Sequence, residues 1–171
     1  MEDKQSLFEE LFLPHLDAAY NLARQIVQSD QEAQDVVQEA YMRALKGFKG
    51  FRGDNARSWI LRIVRNSSYN WIEKHLSDAS FIQFDSTIHL VTTNNPLSEA
   101  LRNERERQLH EALNRLPVEL HEILVLRDIE GWSYKELASV LRVPLGTVMS
   151  RLSRARQRLR QEVAGVQGQE A

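Results

Sequence analysis

The sequence predicts an all-α protein of two small helical domains joined by a flexible linker, with a helix-turn-helix in the second domain. Apolar residues recur at spacings of three, four and seven along most of the chain, which is the period of a helix. The pattern is lost from Ser77 to Pro96, a stretch rich in Ser, Thr, Asn and Asp. So long an irregular run is unusual inside a compact domain, and we interpret it as an interdomain linker. A short strand near Phe81–Phe84 is the alternative.

The first half of the chain predicts three helices. Apolar residues from Phe8 to Ile26 predict the first helix, and a capping box at Ser29–Glu32 opens the second. The polar face of the second helix carries Asp35, Gln38, Glu39, Met42, Arg43 and Lys46. Three glycines between Lys46 and Arg57 predict a loop. The third helix follows, and one of its sides carries Trp59, Ile60, Ile63, Val64, Ser67 and Trp71.

The second half predicts a further series of helices. The first begins at Leu97, and a second runs over Val118–Glu130, where Gly131 stops it in the C′ position. Another capping box at Ser133–Glu136 starts a short helix. A tight turn then leads into a last helix over Leu145–Glu162. A short helix, a turn and a longer basic helix form a helix-turn-helix pattern.

Composition narrows the classes of protein that the chain can be. It has 171 residues and no cysteine, which excludes disulfides and thiolate metal sites and fits a reducing compartment. The N-terminus lacks the basic start and apolar core of a signal peptide, and no run approaches a membrane span. We therefore expect a cytoplasmic protein with no membrane insertion of its own.

Charge is concentrated in two basic segments of a mildly acidic chain. The net charge is −2 overall, but residues 40–76 and 142–160 each carry +6, and an acidic segment precedes each of them. Two separated basic segments indicate a polyanion contacted at two places. The alternative is that both are solvated helix faces.

A helical projection of residues 145–160 separates two faces. The apolar sector predicts a buried face made of Leu145, Val148, Leu152, Ala155 and Leu159. The opposite side carries hydroxyls and guanidiniums and no carboxylate, at Thr147, Ser150, Arg151, Arg154 and Arg158. Arg can bind guanine or phosphate, so we expect this face to meet DNA. Arg156 lies at the flank of the buried side, where we expect a contact to protein.

Two stretches of the sequence resemble one family. The segment GWSYKELASVLRVPLGTVMSRLSRARQRL, residues 131–159, resembles the C-terminal DNA-binding domain of extracytoplasmic-function sigma factors, a group of the sigma-70 family. Residues 30–72 contain DVVQE, FRG and W-x-x-R-I-x-R-N motifs and resemble the N-terminal domain of the same group. The two stretches follow one another in the family's order, and the resemblance covers most of the chain.

The resemblance implies an alternative sigma factor that binds core RNA polymerase, recognises promoter DNA and initiates its melting. It implies a region 2 domain over 1–76, a linker over 77–96, a region 4 domain over 97–165 and a tail over 166–171. The partners would be the β′ clamp helices and β flap of the polymerase, promoter DNA and, as a candidate, an anti-sigma factor.

The resemblance also assigns residues to each contact. Core polymerase would be bound by Asp35, Gln38, Glu39, Met42 and Arg43. The −10 element would be bound by Phe51, Arg52, Asp54, Asn55, Arg57, Arg62, Arg65, Asn66 and Asn70. The −35 element would be bound by Ser133, Lys135, Thr147, Ser150, Arg151, Arg154 and Arg158.

Some residues depart from these expectations or have a second interpretation. Met149 stands where relatives often carry Arg or Lys, and the stretch from Asp54 to Trp59 is one residue shorter than in many relatives. Trp59 and Trp71 could stack on bases, but their place along the apolar side favours core packing.

Two other classes of protein are alternatives to a sigma factor. A helix-turn-helix also ends many two-domain transcriptional regulators, although the first half lacks the strand-helix alternation of a receiver domain. Binding of core polymerase in the absence of DNA distinguishes a sigma factor from such a regulator. An enzyme is the other class, but the five histidines have no metal-ligand spacing and no Ser-His-Asp motif is visible. We therefore expect no catalytic residue, no metal site and no cofactor.

Overall fold

Helices account for almost all of the chain that the structure covers. The computed structural model describes residues 2–53, 55–75 and 96–169, and no strand occurs within these ranges. Its α-helices are α1 (Glu2–Phe12), α2 (Leu16–Val27), α3 (Asp30–Gly47), α4 (Ala56–His75), α5 (Pro96–Asn114), α6 (Val118–Leu124), α7 (Tyr134–Leu141) and α8 (Leu145–Gln169). The all-α prediction is confirmed. Asp54, the alternative strand at residues 81–84 and the predicted linker as far as residue 95 lie outside the described residues.

The chain divides into two compact units. One consists of Met1–Asp85 with Lys135–Val143, and the other of Ser86–Tyr134 with Pro144–Ala171. In the first unit α2, α3 and α4 pack against one another, and α1 contacts α4. In the second unit α5 and α6 both pack against α8. The domain boundaries expected from the sequence stay predictions.

The first predicted helix is interrupted. The apolar pattern from Phe8 to Ile26 predicts one continuous helix, whereas the structure has α1 and α2 separated by a 3-10 turn, Leu13–His15. Pro14 is the cause, because its ring removes a backbone N–H and is tolerated only in the first turn of a helix. Leu13, in the interruption, is 50% exposed.

The capping box at the start of α3 forms in one direction only. The Ser29 hydroxyl accepts a hydrogen bond from the Glu32 backbone N–H at 3.4 Å. The Glu32 carboxylate instead accepts from the indole Nε1 of Trp71 at 3.0 Å. Trp71 therefore joins the end of α4 to the start of α3, which agrees with a packing role for this ring.

An aromatic cluster around Phe12 forms part of the core of the first unit. Phe12 is fully buried, and its ring centroid lies 5.2 Å from Trp59, 5.3 Å from Phe51 and 5.8 Å from Phe48. The Phe8 ring of α1 lies 4.7 Å away on the same cluster. Such tilted and edge-to-face arrangements are the favoured geometries of aromatic pairs. The packing role predicted for Trp59 is confirmed.

The second unit contains a wide helical turn. The sequence predicts one helix over Val118–Glu130, but after α6 the chain continues as a π-helical turn, Val125–Ile129. The Glu130 N–H donates to the Val125 carbonyl at 2.9 Å, one residue further back than in an α-helix. Gly131 then adopts a φ of 73°, a left-handed conformation that glycine tolerates best, so the predicted helix stop is confirmed.

We expect Phe12→Ala to destabilise the first unit by about 3–5 kcal/mol, because it removes the ring at the centre of the aromatic cluster and leaves a cavity. Leu13→Ala is the matched control, since Leu13 is its neighbour but 50% exposed, and its effect should stay within about 0.5 kcal/mol. Urea unfolding followed by circular dichroism measures both. Equal losses in the two variants would contradict the central role of Phe12.

Candidate functional site

An apolar groove lies beside the predicted polar face of α3. Its volume is about 610 Å³, and two of the predicted polymerase-binding residues, Gln38 and Met42, line it. The remaining lining residues are Gln5, Phe8, Glu9, Leu13, Leu16, Asp17, Tyr20, Gln34, Val37, Tyr41 and Leu45. The groove is formed between α1, the turn that follows it, the start of α2 and one side of α3, all within the first unit.

The walls of the groove include large apolar side chains that are open to solvent. Leu13 is 50% exposed, Leu16 is 41% exposed and Met42 is 54% exposed. The sequence pattern does not predict this groove, because Leu13 and Leu16 lie off the periodic stripe that marks the core. Apolar residues off that stripe are the signal that would have indicated it. Contiguous exposed apolar surface of this kind indicates a protein-binding site.

Hydrogen bonds fix the polar rim of the groove. The Tyr41 hydroxyl donates to the Phe12 carbonyl at 2.9 Å, and burial raises the pKa of Tyr41 to about 12. The Tyr20 hydroxyl donates to an Asp30 carboxylate oxygen at 3.0 Å, and the same oxygen pairs with Arg24. Because Tyr41 stays protonated across the physiological pH range, its hydroxyl can donate this bond between α3 and α1 throughout that range.

The other three predicted polymerase-binding residues lie on α3 outside the groove. Asp35, Glu39 and Arg43 are exposed, and Arg43 pairs with Glu39 one turn earlier in the helix. An exposed pair at this spacing contributes little to stability, so its side chains remain available to a partner. The predicted face is therefore an apolar groove bordered by a charged strip.

The loop before α4 carries several of the residues predicted to bind the −10 element. Phe51 is half-buried in the aromatic cluster, and Asn55 caps α4 by accepting a hydrogen bond from the Ser58 N–H at 3.1 Å. Arg52 is exposed and Arg57 is half-buried. Phe51 and Asn55 thus have structural roles that the sequence did not predict, and their contact with DNA stays a prediction.

One face of α4 brings together the remaining residues of that set, at positions 62, 65, 66 and 70. Asn66 and Asn70 are exposed. The Arg62 guanidinium donates to the Ser58 carbonyl at 3.2 Å, and the Arg65 guanidinium lies 4.6 Å over the ring of Tyr69. The guanidiniums of Arg62 and Arg65 are therefore held against the helix, on the same face as the exposed amides of Asn66 and Asn70.

The polar face of α8 agrees with the helical projection at most positions. Arg154, Arg158 and Ser150 are exposed, and Thr147 and Arg151 are half-buried. Arg158 pairs with Glu162 at 3.0 Å, just beyond the segment that lacks acids. Ser133 and Lys135, predicted for the same contact, are exposed near the start of α7.

The apolar face of α8 differs from the projection at its first residue. Val148, Leu152 and Ala155 are buried as predicted, but Leu145 is 47% exposed and Leu159 is half-buried. The prediction that Leu145 is buried is therefore wrong. A projection down the axis shows angular position, but it does not show how far along its length a helix is covered.

Arg156 contacts protein, as its flank position predicts. Its guanidinium binds the Asp128 carboxylate with two hydrogen bonds, at 3.0 and 2.6 Å. This hydrogen bonding to Arg156 lowers the pKa of Asp128. Next to it, Arg127 donates to the Trp132 carbonyl at 2.6 Å and lies over the ring of Tyr134. These arginines join the wide turn to α8 and to the loop that follows Gly131.

The described part of the chain offers neither a metal site nor a membrane-spanning helix. No group of His, Cys, Asp and Glu there could hold a metal ion. Within the same residues, none of the helices combines the length and the apolar character that crossing a bilayer requires.

Comparison with known families gives two matches in chain order. Residues 11–76 match the model for sigma-70 region 2, and residues 106–159 match the model for sigma-70 region 4. The first match contains α3 and most of the groove-lining residues, the loop and α4. The second contains the wide turn, α7 and the basic face of α8.

Individual relatives agree along most of their length. The chain is 35% identical to the RNA polymerase sigma-H factor of Pseudomonas aeruginosa, over 91% of this chain and 84% of that protein. It is 32% identical to the ECF RNA polymerase sigma-E factor of Escherichia coli strain K12, over 93% and 87%.

Solved structures support the same relationship. The sigma factor RpoE of Bartonella quintana, crystallised with the anti-sigma factor NepR, matches with a TM-score of 0.70 and 28% identity, over 92% of this chain and 96% of that one. CnrH in complex with the cytosolic domain of CnrY matches with a TM-score of 0.67 and 26% identity, over 94% and 90%. The chain belongs to the extracytoplasmic-function group of the sigma-70 family and is an alternative sigma factor.

Proposed function

We propose that this sigma factor binds core RNA polymerase through α3 and the apolar groove, captures the −10 element with the loop and α4, and binds the −35 element with α8. Sigma factors are transcription initiation factors and not enzymes. In this scheme the protein's role is to position DNA on the polymerase and to stabilise its opened form.

The observation that carries the proposal is the exposed face of α8. Between Leu145 and Arg160 the helix has five arginines and no carboxylate. Arg154 and Arg158 are exposed, whereas the guanidinium of Arg156 is hydrogen-bonded to the Asp128 carboxylate. A solvated helix face usually mixes both charges, so this separation of protein-binding and outward-facing arginines supports contact with a polyanion. The turn before α8 supports placement of its first residues in a major groove.

The groove and the charged strip support binding of the polymerase. The apolar side chains around Met42 are exposed to water, and covering them with a partner would make binding more favourable. Asp35 and Glu39 at the border add charges that select and orient that partner. We infer that a helical element of the polymerase, the β′ clamp helices, lies in the groove, and that the β flap binds the second unit.

The loop and α4 support capture of opened DNA. Arg62 and Arg65 provide positive charge for phosphates, and Asn66 and Asn70 are exposed amides that can hydrogen-bond to base edges. Arg52 and Asp54, which precede α4 in the sequence, and Arg57 in its first turn complete the set. Phe51 and Asn55 act in this proposal mainly by fixing the path of the loop.

Further parts of the proposal follow from the family. We place region 2 at residues 1–76, a linker at 77–96, region 4 at 97–165 and a tail at 166–171. An anti-sigma factor is a proposed partner, because the Bartonella relative was crystallised with one. We propose that the protein acts in the cytoplasm, where it meets RNA polymerase.

The double charge reversal Asp35→Lys with Glu39→Lys should weaken binding of core polymerase by about tenfold or more, because it places like charges at the border of the groove. The matched control reverses Asp3 and Glu10, two exposed acids of α1, with the same change in net charge. Fluorescence titration of labelled protein with core polymerase measures both. The assignment of α3 would be wrong if the two double variants bound equally well.

Alanine variants of Arg62, Arg65 and Asn66 should impair transcription from a closed duplex more than from a template with a pre-melted bubble. The reason is that these residues are proposed to help open the DNA and hold the separated strand. In vitro transcription on both templates, relative to the unaltered protein, gives the comparison. An equal loss on the two templates would mean that they act at another step.

Arg151→Ala should weaken binding to the −35 element by about 1–3 kcal/mol and relax preference at one base pair, if Arg151 reads a base. Arg154→Ala should weaken all sequences alike and flatten the salt slope by about one unit, as expected for a phosphate contact. Arg156→Ala should affect DNA affinity less, because Arg156 pairs with Asp128. Holoenzyme binding to −35 variants across a salt series tests all three, and a larger effect of Arg156→Ala would show that α8 presents another face.

A further inference from the structure

The first two turns of α8 expose two large apolar side chains. Leu145 is 47% exposed and Met149 is 54% exposed. They stand four residues apart, so they are neighbours on the helix surface. Leu145 was expected in the core, and Met149 is an uncharged residue in a segment, 142–160, that contains six arginines. The pair forms an exposed apolar patch at the start of the helix that also carries the arginine face.

The surroundings of this patch favour one kind of partner. Residues 142–160 contain six arginines and no acid, and Ser150 and Arg154 are exposed on the same helix. A partner that covers the patch must therefore accept a strongly positive neighbourhood while it offers apolar groups of its own. Duplex DNA meets both conditions, because its phosphates are negative and each thymine presents a C5-methyl group in the major groove.

We propose that Leu145 and Met149 contact thymine methyl groups in the −35 element and so select A·T pairs at one or two adjacent positions. This inference rests on the proposed function of α8. The N-terminal part of a recognition helix is the part that reaches base edges. The two residues are separated by about 6 Å along the helix axis, less than two base-pair steps of about 3.4 Å, so flexible side chains at these positions can reach adjacent base pairs.

The inference gives Met149 a role that a cationic side chain could not fill. A lysine or arginine at residue 149 would contact phosphate or guanine and would not distinguish thymine. Methionine is flexible and polarisable, so it can adapt its shape to a methyl group without a fixed hydrogen-bond geometry. We therefore expect sequence preference from the patch and affinity from the arginines.

Uracil in place of thymine gives the sharpest test, because it removes only the methyl group and keeps the base pair. Holoenzyme, made of the full chain and its core polymerase, first selects −35 sequences from a randomised duplex library. Each thymine of a selected duplex is then replaced by uracil in turn, and the dissociation constant is measured. Loss of one buried methyl group predicts about fourfold weaker binding at one or two adjacent positions, and no change at the other thymines.

Variants assign the effect to the patch. Leu145→Gln and Met149→Gln replace exposed apolar side chains by polar helix-compatible ones, and each should reduce the thymine-to-uracil ratio at its own position to about one. Leu109→Gln is the control, because Leu109 is 45% exposed on α5, and it should leave the ratio unchanged. Circular dichroism confirms that the variants fold.

Three results would overturn the inference while the proposed function stands. The holoenzyme could bind −35 DNA with no uracil effect at any thymine, or the effect could persist in both glutamine variants. The variants could also lose affinity for core polymerase with an unchanged ratio, which would make the patch a protein contact. Failure of the holoenzyme to select any −35 sequence would overturn the proposed function of α8 and this inference together.

Discussion

The Phe12 ring is the contact on which the first unit depends. Its ring touches the side chains of Phe48, Phe51 and Trp59, and its carbonyl accepts the Tyr41 hydroxyl. One buried residue thereby connects α1, α3, the loop and α4. The groove beside α3 and the path of the loop before α4 are consequences of the same packing, so the proposed polymerase surface and the proposed −10 surface share one support.

In the second unit a network of arginines takes the equivalent role. Arg156 binds Asp128, and Arg127 binds the Trp132 carbonyl and the ring of Tyr134. These contacts hold the wide turn and the following loop to α8. Arg156 is used for a protein contact, and the proposal assigns DNA contacts to the outward arginines of the same helix, of which Arg158 also pairs with Glu162. The angular position of each arginine on α8 therefore decides whether it contacts protein, as Arg156 does, or faces outward, as Arg154 does.

The two units use different chemistry for their proposed partners. The groove of the first unit offers exposed leucines and Met42 with acids at its border, which suits a protein partner. The second unit offers a basic helix face with a small apolar patch, which suits the major groove. An alternative sigma factor has to bind polymerase and DNA together, and a chain with a net charge of −2 achieves this by separating its charges along the sequence.

The sequence alone determined the helical fold, the helix-turn-helix, the stop at Gly131 and the outward position of Arg154, because these follow from periodicity and local backbone preference. Most of the residues proposed for polymerase and DNA binding were also named from the sequence and its family resemblance. The tertiary structure alone decided that Phe51 packs in a cluster, that Glu32 bonds Trp71 and not its own cap, and that Leu145 is exposed. Each of these depends on residues distant in sequence or on where a helix ceases to be covered, and local periodicity contains no information about either.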